Sequence, residues 1–249
     1  MQMFLSIEIE KGFKEQLFQA FGGTDECISL VLRHLELVLK DNKMTNLTAI
    51  TEPEKAIYLH IYDSLLGLGQ LNNADDGYFA DIGSGAGYPG IPLAVFSGRS
   101  GVLIEATQKK AIRLESYIKD LGLIEKLDVF KGRVEEFDLK SANGYSAICA
   151  RAVGSLPELM ELACPLLAIN GILIAYKGPE GMKELDNIDN CLKILGMTIS
   201  STEEYLIPKI EAKRIIIVIR KVSEAGVRLP RRPGMARKRP LGLDKTEIG

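Results

Sequence analysis

Asp81-Ile-Gly-Ser-Gly-Ala-Gly-Tyr-Pro-Gly90 is the stretch whose reading decides the fold. The apolar run Phe79-Ala80-Asp81-Ile82 reads as a strand, and it delivers the chain into Gly83, Gly85, Gly87 and Gly90. Glycines there permit positive φ and close backbone approach to a ligand at the carboxyl edge of a parallel sheet. Two cofactors compete for such a loop. Gly85-Ala-Gly87-Tyr-Pro-Gly90 also spells GxGxxG, the dinucleotide pattern, in which a helix starts under the pyrophosphate. Here Pro89 and Pro92 place the helix start later, around Gly90, and Asp81 suits the ammonium of a methionine moiety better than a pyrophosphate. The pattern therefore favours S-adenosyl-L-methionine. A nicotinamide-dependent oxidoreductase is the alternative, and a glycine turn without a ligand is the plainest one.

Outward from the loop, short apolar runs alternate with helical patterns. Strands are expected at Gly77–Ile82, Gly101–Ala106, Leu127–Lys131, Tyr145–Ala150 and Ile172–Tyr176. Helices are expected at Ile91–Phe96, Lys109–Leu121, Leu156–Leu167 and Gly181–Leu195. This rhythm predicts an α/β sheet, parallel in its main part with helices on both faces, and together with the S-adenosyl-L-methionine loop a Rossmann-like class I methyltransferase fold. Thr198–Leu206 and Ile210–Arg220 have no helix between them and predict a closing antiparallel hairpin. Residues 1–70 read as a helical extension. Its clearest helix, Cys27–Lys40, carries Ile28, Val31, Leu32, Leu35, Val38 and Leu39 on one stripe, and a second runs from Pro53 to about Leu66. The methyltransferase core spans residues 71–221, and a basic tail spans 222–249. Between Gly226 and Pro240 that tail has six basic residues, three prolines and no acid, which predicts a mostly extended form.

A formal net charge of −2 excludes nucleic-acid binding by bulk charge, so an RNA partner must be met by a local patch. Cys27, Cys149, Cys164 and Cys191 are scattered and do not cluster with the two histidines, which argues against a metal or disulfide framework. No apolar run approaches the roughly 20 residues a membrane span needs. A cytoplasmic protein is expected.

Several residues stand out singly. Glu105 ends the second expected strand, where a carboxylate can take both ribose hydroxyls of a nucleoside. After the third strand, Val134 can pack on an adenine, and Glu135 either accepts from its amino group or is simply solvated. Arg151 ends a buried strand, where a charge needs a partner, and binding is favoured over a structural ion pair. His60 and Asp63 share a helix face, either as a surface hydrogen bond or as an active-site edge. His34 reads as structural and Cys149 as packing. Lys177 either meets an RNA phosphate or guanine O6, or is a solvated strand end. Arg228, Arg231, Arg232 and Lys238 in the tail, supported by Lys109, Lys110 and Arg113, are the phosphate-binding candidates; a disordered tail is the other reading.

From about Cys27 to Leu241 the chain resembles the bacterial small-subunit (16S) ribosomal RNA guanine-N7 methyltransferases, the glucose-inhibited division protein B family. The segments that carry the likeness include Asn46-Leu-Thr-Ala-Ile50, His60-Ile-Tyr-Asp-Ser-Leu65, Asp81 to Pro92, Gly132-Arg-Val-Glu135 and Arg151-Ala-Val153. Lys109-Lys110, Lys177-Gly178, Pro230-Arg-Arg-Pro-Gly234 and Lys238-Arg-Pro-Leu241 complete the ordered set. The resemblance implies cofactor contacts from Gly83, Tyr88, Val134, Glu135 and Arg151, with Glu105, Ala106 and Thr107 near the ribose. It also implies small-subunit ribosomal RNA as substrate, naked or as ribonucleoprotein. Tyr88 stands where phenylalanine is usual, Val134 where alanine is common, and Gly234-Met-Ala-Arg237 departs from the usual tail spacing.

Such chemistry asks little of side chains. Guanine N7 offers an in-plane lone pair and carries no proton, so no catalytic base is expected and alignment supplies most of the rate. The chain has neither an Asn/Asp-Pro-Pro-Tyr stretch nor a Pro-Cys pair after the fourth strand, as adenine-amino or pyrimidine methylation would require. A splayed guanine could stack on Tyr88.

Overall fold

A computed structural model of the chain describes residues 5–138, 144–186 and 188–243. Helix α1 (Ile7–Phe21) starts where Ser6 accepts from the Ile9 N–H, and α2 (Asp25–Thr45) starts where Thr24 accepts from the Cys27 N–H. The Thr24 cap and the acids Asp25 and Glu26 in the first turn explain why α2 begins before the expected Cys27. At its far end Asn46 adopts the left-handed conformation, so the helix outruns Lys40. Helix α3 has Pro53 in its first turn and runs through three segments: α-helical Pro53–Ala56, π-helical Ile57–Tyr62 and α-helical Asp63–Leu65. A π turn widens the helix and frees carbonyls from the regular ladder. Within this turn, Leu59 O accepts from Arg151 Nη1.

The sheet has strands β1 (Phe79–Ile82), β2 (Gly101–Glu105), β3 (Leu127–Lys131), β4 (Tyr145–Arg151), β5 (Leu167–Lys177), β6 (Met197–Ile207) and β7 (Ala212–Lys221). They lie in the order β3-β2-β1-β4-β5-β7-β6. Pairings among β1 to β5 are parallel, and β7 enters antiparallel between β5 and β6, as the expected hairpin requires. One face is covered by α1 to α3 and by the helices Gly90–Ser97 and Gln108–Asp120. The other is covered by Leu156–Ala163 and Asp189–Leu195.

Two expected elements differ. The helix expected over Leu156–Leu167 ends at Ala163, and β5 begins at Leu167 rather than Ile172. Strand pairing jumps from Tyr145↔Leu167 to Ala147↔Ile172, with Asn170 at φ 69 and Gly171 packed on the Tyr145 carbonyl. This irregular stretch breaks the alternation that sequence reading relies on. The helix expected over Gly181–Leu195 is instead a 3-10 segment, Pro179–Leu185, and a separate helix from Asp189. Asp186 between them turns extended, at ψ 135, and Asn187 lies outside the described residues.

The tail also departs from its expected extended form. Residues 222–243 run back over the molecule, and Gly234, at φ 78, opens a short helix, Met235–Lys238, with Ala236 buried. The tail beyond residue 243 lies outside the described residues.

Candidate cofactor and RNA site

The glycine loop leaves β1 as expected, and the helix after it starts at Gly90. Gly83, Gly85 and Gly87 all have positive φ, at 72, 58 and 95. At Gly87 a Cβ would lie 2.6 Å from Ile91 Cδ1 and 3.0 Å from His34 Nε2, so the loop is packed against α2 at that point. Asp81 lies inside the fold. It is wholly buried, and its Oδ2 accepts from the Gly90 N–H at 3.0 Å, tying the strand to the start of the next helix. Burial raises its pKa to about 7.

Glu105 closes the loop from β2. Its Oε2 accepts from the Gly85 N–H at 2.9 Å and its Oε1 from the Thr107 N–H at 2.7 Å. A carboxylate oxygen has more than one lone pair, so both oxygens keep acceptor capacity toward a ribose. At the carboxyl ends of β1 to β3 lies a cavity of about 190 Å³ that gathers Gly83, Glu105, Ala106, Val134 and Glu135. Gly234, Ala236 and Arg237 of the tail line the same cavity. Val153 completes it next to Gly83, following Ala152, whose φ of 56 is costly for a residue other than glycine.

Tyr88 and Arg151 sit in a second cluster, behind the loop. The Tyr88 ring is 4% exposed, stacks on His60 at 4.6 Å and 9°, and meets His34 at 4.6 Å. With α2 and α3 against it, the ring is closed to the guanine stacking expected for it. Arg151 lies 5.6 Å from the ring centroid, and its Nη1 donates to Leu59 O and to Asp63 Oδ2 at 3.1 Å. Arg214 Nε donates to the same carboxylate, both contacts at 3.2 Å. The structural ion pair disfavoured for Arg151 is thus present. Asp63 and His60 are buried members of this cluster and not helix-surface partners. Cys149 is buried in β4, and burial pushes its thiol up, which makes it inert packing.

The RNA candidates divide. Arg228, Arg232 and Lys238 are exposed. Lys177 is neither solvated nor open to a phosphate: it is buried, and its Nζ donates to Gly154 O and Glu184 Oε2, each at 2.7 Å. Arg231 is bound in a two-pronged pair to the buried Glu161, so it too is engaged within the protein. No motif marks Glu161 or Arg214, and Val153 stands out only as part of the Arg151-Ala-Val153 segment. His34 is structural as expected: it is buried, and its Nε2 lies 2.9 Å from the Ala86 carbonyl, bracing the loop. Among the described residues, no group of three or more His, Cys, Asp or Glu could hold a metal, and no helix is long and apolar enough to cross a membrane.

The buried imidazoles carry a pH signature. Burial lowers the pKa of His34 to about 4; burial, with help from the Arg151 charge, lowers that of His60 to about 3. Unfolded histidines take up protons below about 6.5, so the unfolded state gains protons first and stability falls as pH drops through that point. Asp81 acts oppositely, since its raised folded pKa adds stability at low pH that is lost as pH rises through about 7. Between about pH 6 and 4.5, two imidazoles against one carboxyl leave a net loss of stability as pH falls, on the order of 1 kcal/mol per pH unit. Urea unfolding across that range checks the slope; a flat profile would mean the imidazoles are not held neutral.

The sheet order, with one reversed strand and a glycine loop after β1, defines a class I methyltransferase fold. An O-methyltransferase from Bacillus cereus solved in complex with SAH shares this fold, with a TM-score of 0.55 and 21% identity, covering 86% of this chain and all of that one (100%). TYW2 from M. jannaschii, solved in complex with AdoMet, superposes with a TM-score of 0.51 at 15% identity, over 64% of this chain and 77% of its own.

The family described as rRNA small subunit methyltransferase G matches residues 28–215, and the chain belongs to it. Proteins named Ribosomal RNA small subunit methyltransferase G agree along nearly the whole length. The one from Fusobacterium nucleatum is 36% identical over 92% of this chain and 98% of its own. That from Pelotomaculum thermopropionicum is 34% identical over 88% and 92%, and that from Alkaliphilus metalliredigens 32% identical over 89% and 93%. The oxidoreductase alternative finds no support, either in the late helix start or in the relatives.

Proposed function

We propose that this protein transfers the methyl group of S-adenosyl-L-methionine to N7 of a guanine in small-subunit (16S) ribosomal RNA, in the cytoplasm. The observation that carries the reading is the cavity at the strand ends, in a chain of this family. Its donor set suits a nucleoside. Glu105 presents a carboxylate at the ribose position, Ala106 and Thr107 continue the edge, and Val134 offers an apolar surface for the adenine. Glu135 has an acceptor for the exocyclic amino group. Gly83, Gly85 and Gly87 would bring backbone close to the methionine portion, and Arg151, held to Leu59 O and Asp63 behind the loop, is a contact that the family likeness suggests.

The cofactor supplies a methyl already activated on sulfonium, so the N7 lone pair forms the new C–N bond as the C–S bond breaks and its electrons remain on sulfur. No proton leaves N7 in this step. The chain's task is therefore alignment and exclusion of water, not proton transfer. His60, buried behind the glycine loop and with its pKa lowered to about 3, stays neutral. Arg228, Arg232 and Lys238, all exposed, supply phosphate contacts that weaken steeply with salt.

The test is incubation with methyl-labelled cofactor and unmethylated small-subunit RNA, both naked and as ribonucleoprotein. Label is expected at a guanine that becomes sensitive to borohydride and aniline scission, as N7 methylation makes it. Label on no RNA species would end this reading.

A further inference from the structure

We propose that residues 230–237 of the basic tail form a wall of the adenine subsite, held there by Arg231 and Glu161 as positioning residues. This rests on the cofactor reading above. Glu161 lies on the helix Leu156–Ala163 and is only 3% exposed. A carboxylate buried to that degree needs compensation from nearby donors. The tail provides it: Arg231 Nε and Nη2 bind Glu161 Oε1 and Oε2 at 2.6 and 2.5 Å, and the Leu241 N–H adds a third contact at 3.3 Å. Arg231 Nη2 also reaches Arg239 O at 2.7 Å, which folds the segment back on itself.

The latch has a result at the cavity. Between its two ends, the Gly234 N–H donates to Glu135 Oε1 at 2.8 Å, and Gly234, Ala236 and Arg237 face the same space as Glu135 and Val134. One oxygen of Glu135 is thereby fixed by tail backbone, which orients the other for an amino donor. A side chain pre-set in this way loses less rotamer freedom on binding, so the tail contributes to cofactor affinity without a charge of its own touching the cofactor. Gly234 suits the place because its φ of 78 turns the chain into the Met235–Lys238 helix. The basic segment thus has a second duty besides meeting RNA, with Arg231 facing inward and Arg232 outward.

The experiment is S-adenosylhomocysteine titration by calorimetry on the full chain, with trypsin cleavage of the tail read in parallel. Arg231→Ala is expected to weaken binding on the order of tenfold, about the weight of one well-placed hydrogen bond to a charged group. Arg231→Lys, which keeps the charge, should recover part of that loss. Glu161→Gln should match Arg231→Ala; should it fail to fold, the tail-side variant decides alone. In the unaltered protein, the ligand should slow tryptic cleavage within residues 228–239, and in Arg231→Ala it should not. Equal affinity in Arg231→Ala and the unaltered protein, or cleavage indifferent to ligand, overturns the proposal while leaving the cofactor reading intact. An unaltered protein that binds no S-adenosylhomocysteine overturns both.

Discussion

Glu105→Ala is expected to lower affinity for S-adenosylhomocysteine by at least about 100-fold. Hydrogen bonds to a charged acceptor are each worth about 1.5–3 kcal/mol, and the proposed ribose contacts number two. The same carboxylate also ties the Gly85 and Thr107 N–H groups together, so its loss frees the loop as well as removing ligand contacts. Glu105→Gln keeps one acceptor oxygen and should lose less. Calorimetry measures the affinity, and an unfolding curve on the same samples separates loop loosening from global damage. An alanine variant that binds as the unaltered protein does would remove Glu105 from the site.

Asp63→Ala is expected to cost about 3–5 kcal/mol of folding stability, the range for breaking a buried ion pair by removing one partner. The Asp63 side chain is 3% exposed, while its partners Arg151 and Arg214 are 16% and 24% exposed. Removing the carboxylate therefore leaves two guanidinium groups facing each other across a low-dielectric gap. Arg214→Ala should cost much less, since Arg151 still neutralises the carboxylate. Urea denaturation of both variants compares them. A loss below about 1 kcal/mol for Asp63→Ala would put the cluster among solvated pairs, whose worth is of that size. On the proposed cofactor reading, the same variant should also disturb cofactor binding, since Asp63 fixes Arg151.

What the sequence made legible was mostly local. The glycines and Pro89 located the loop and the helix start at Gly90, because backbone freedom and proline chemistry are written in single residues. Glu105 could be placed because a strand end is visible from periodicity. The π-helical turn over Ile57–Tyr62 could not be seen, since its apolar spacing looks helical either way. Tyr88 is closed to stacking by His34 and His60, which come from helices more than 25 residues earlier, and no local pattern reveals that packing. Arg231 looked like any other tail cation. Its partner Glu161 lies 70 residues earlier, and a glutamate in an amphipathic helix gives no sign that it is buried.

The helical layer made by α1 to α3 shares one continuous core with the far end of the sheet. Phe13, Ile61 and Leu65 belong to the same packed cluster as Ile216 and Val218 of β7. During synthesis those first apolar faces emerge long before the strand they rest on has been made. They must stay exposed, or be shielded by other proteins, while most of the chain is still being added. Their contacts span most of the chain, so loop closure delays them and the final docking should be a slow, late event. Pulse-labelling hydrogen exchange would see it as α2 and β7 gaining protection together, an early and a late part of the chain becoming native in one step.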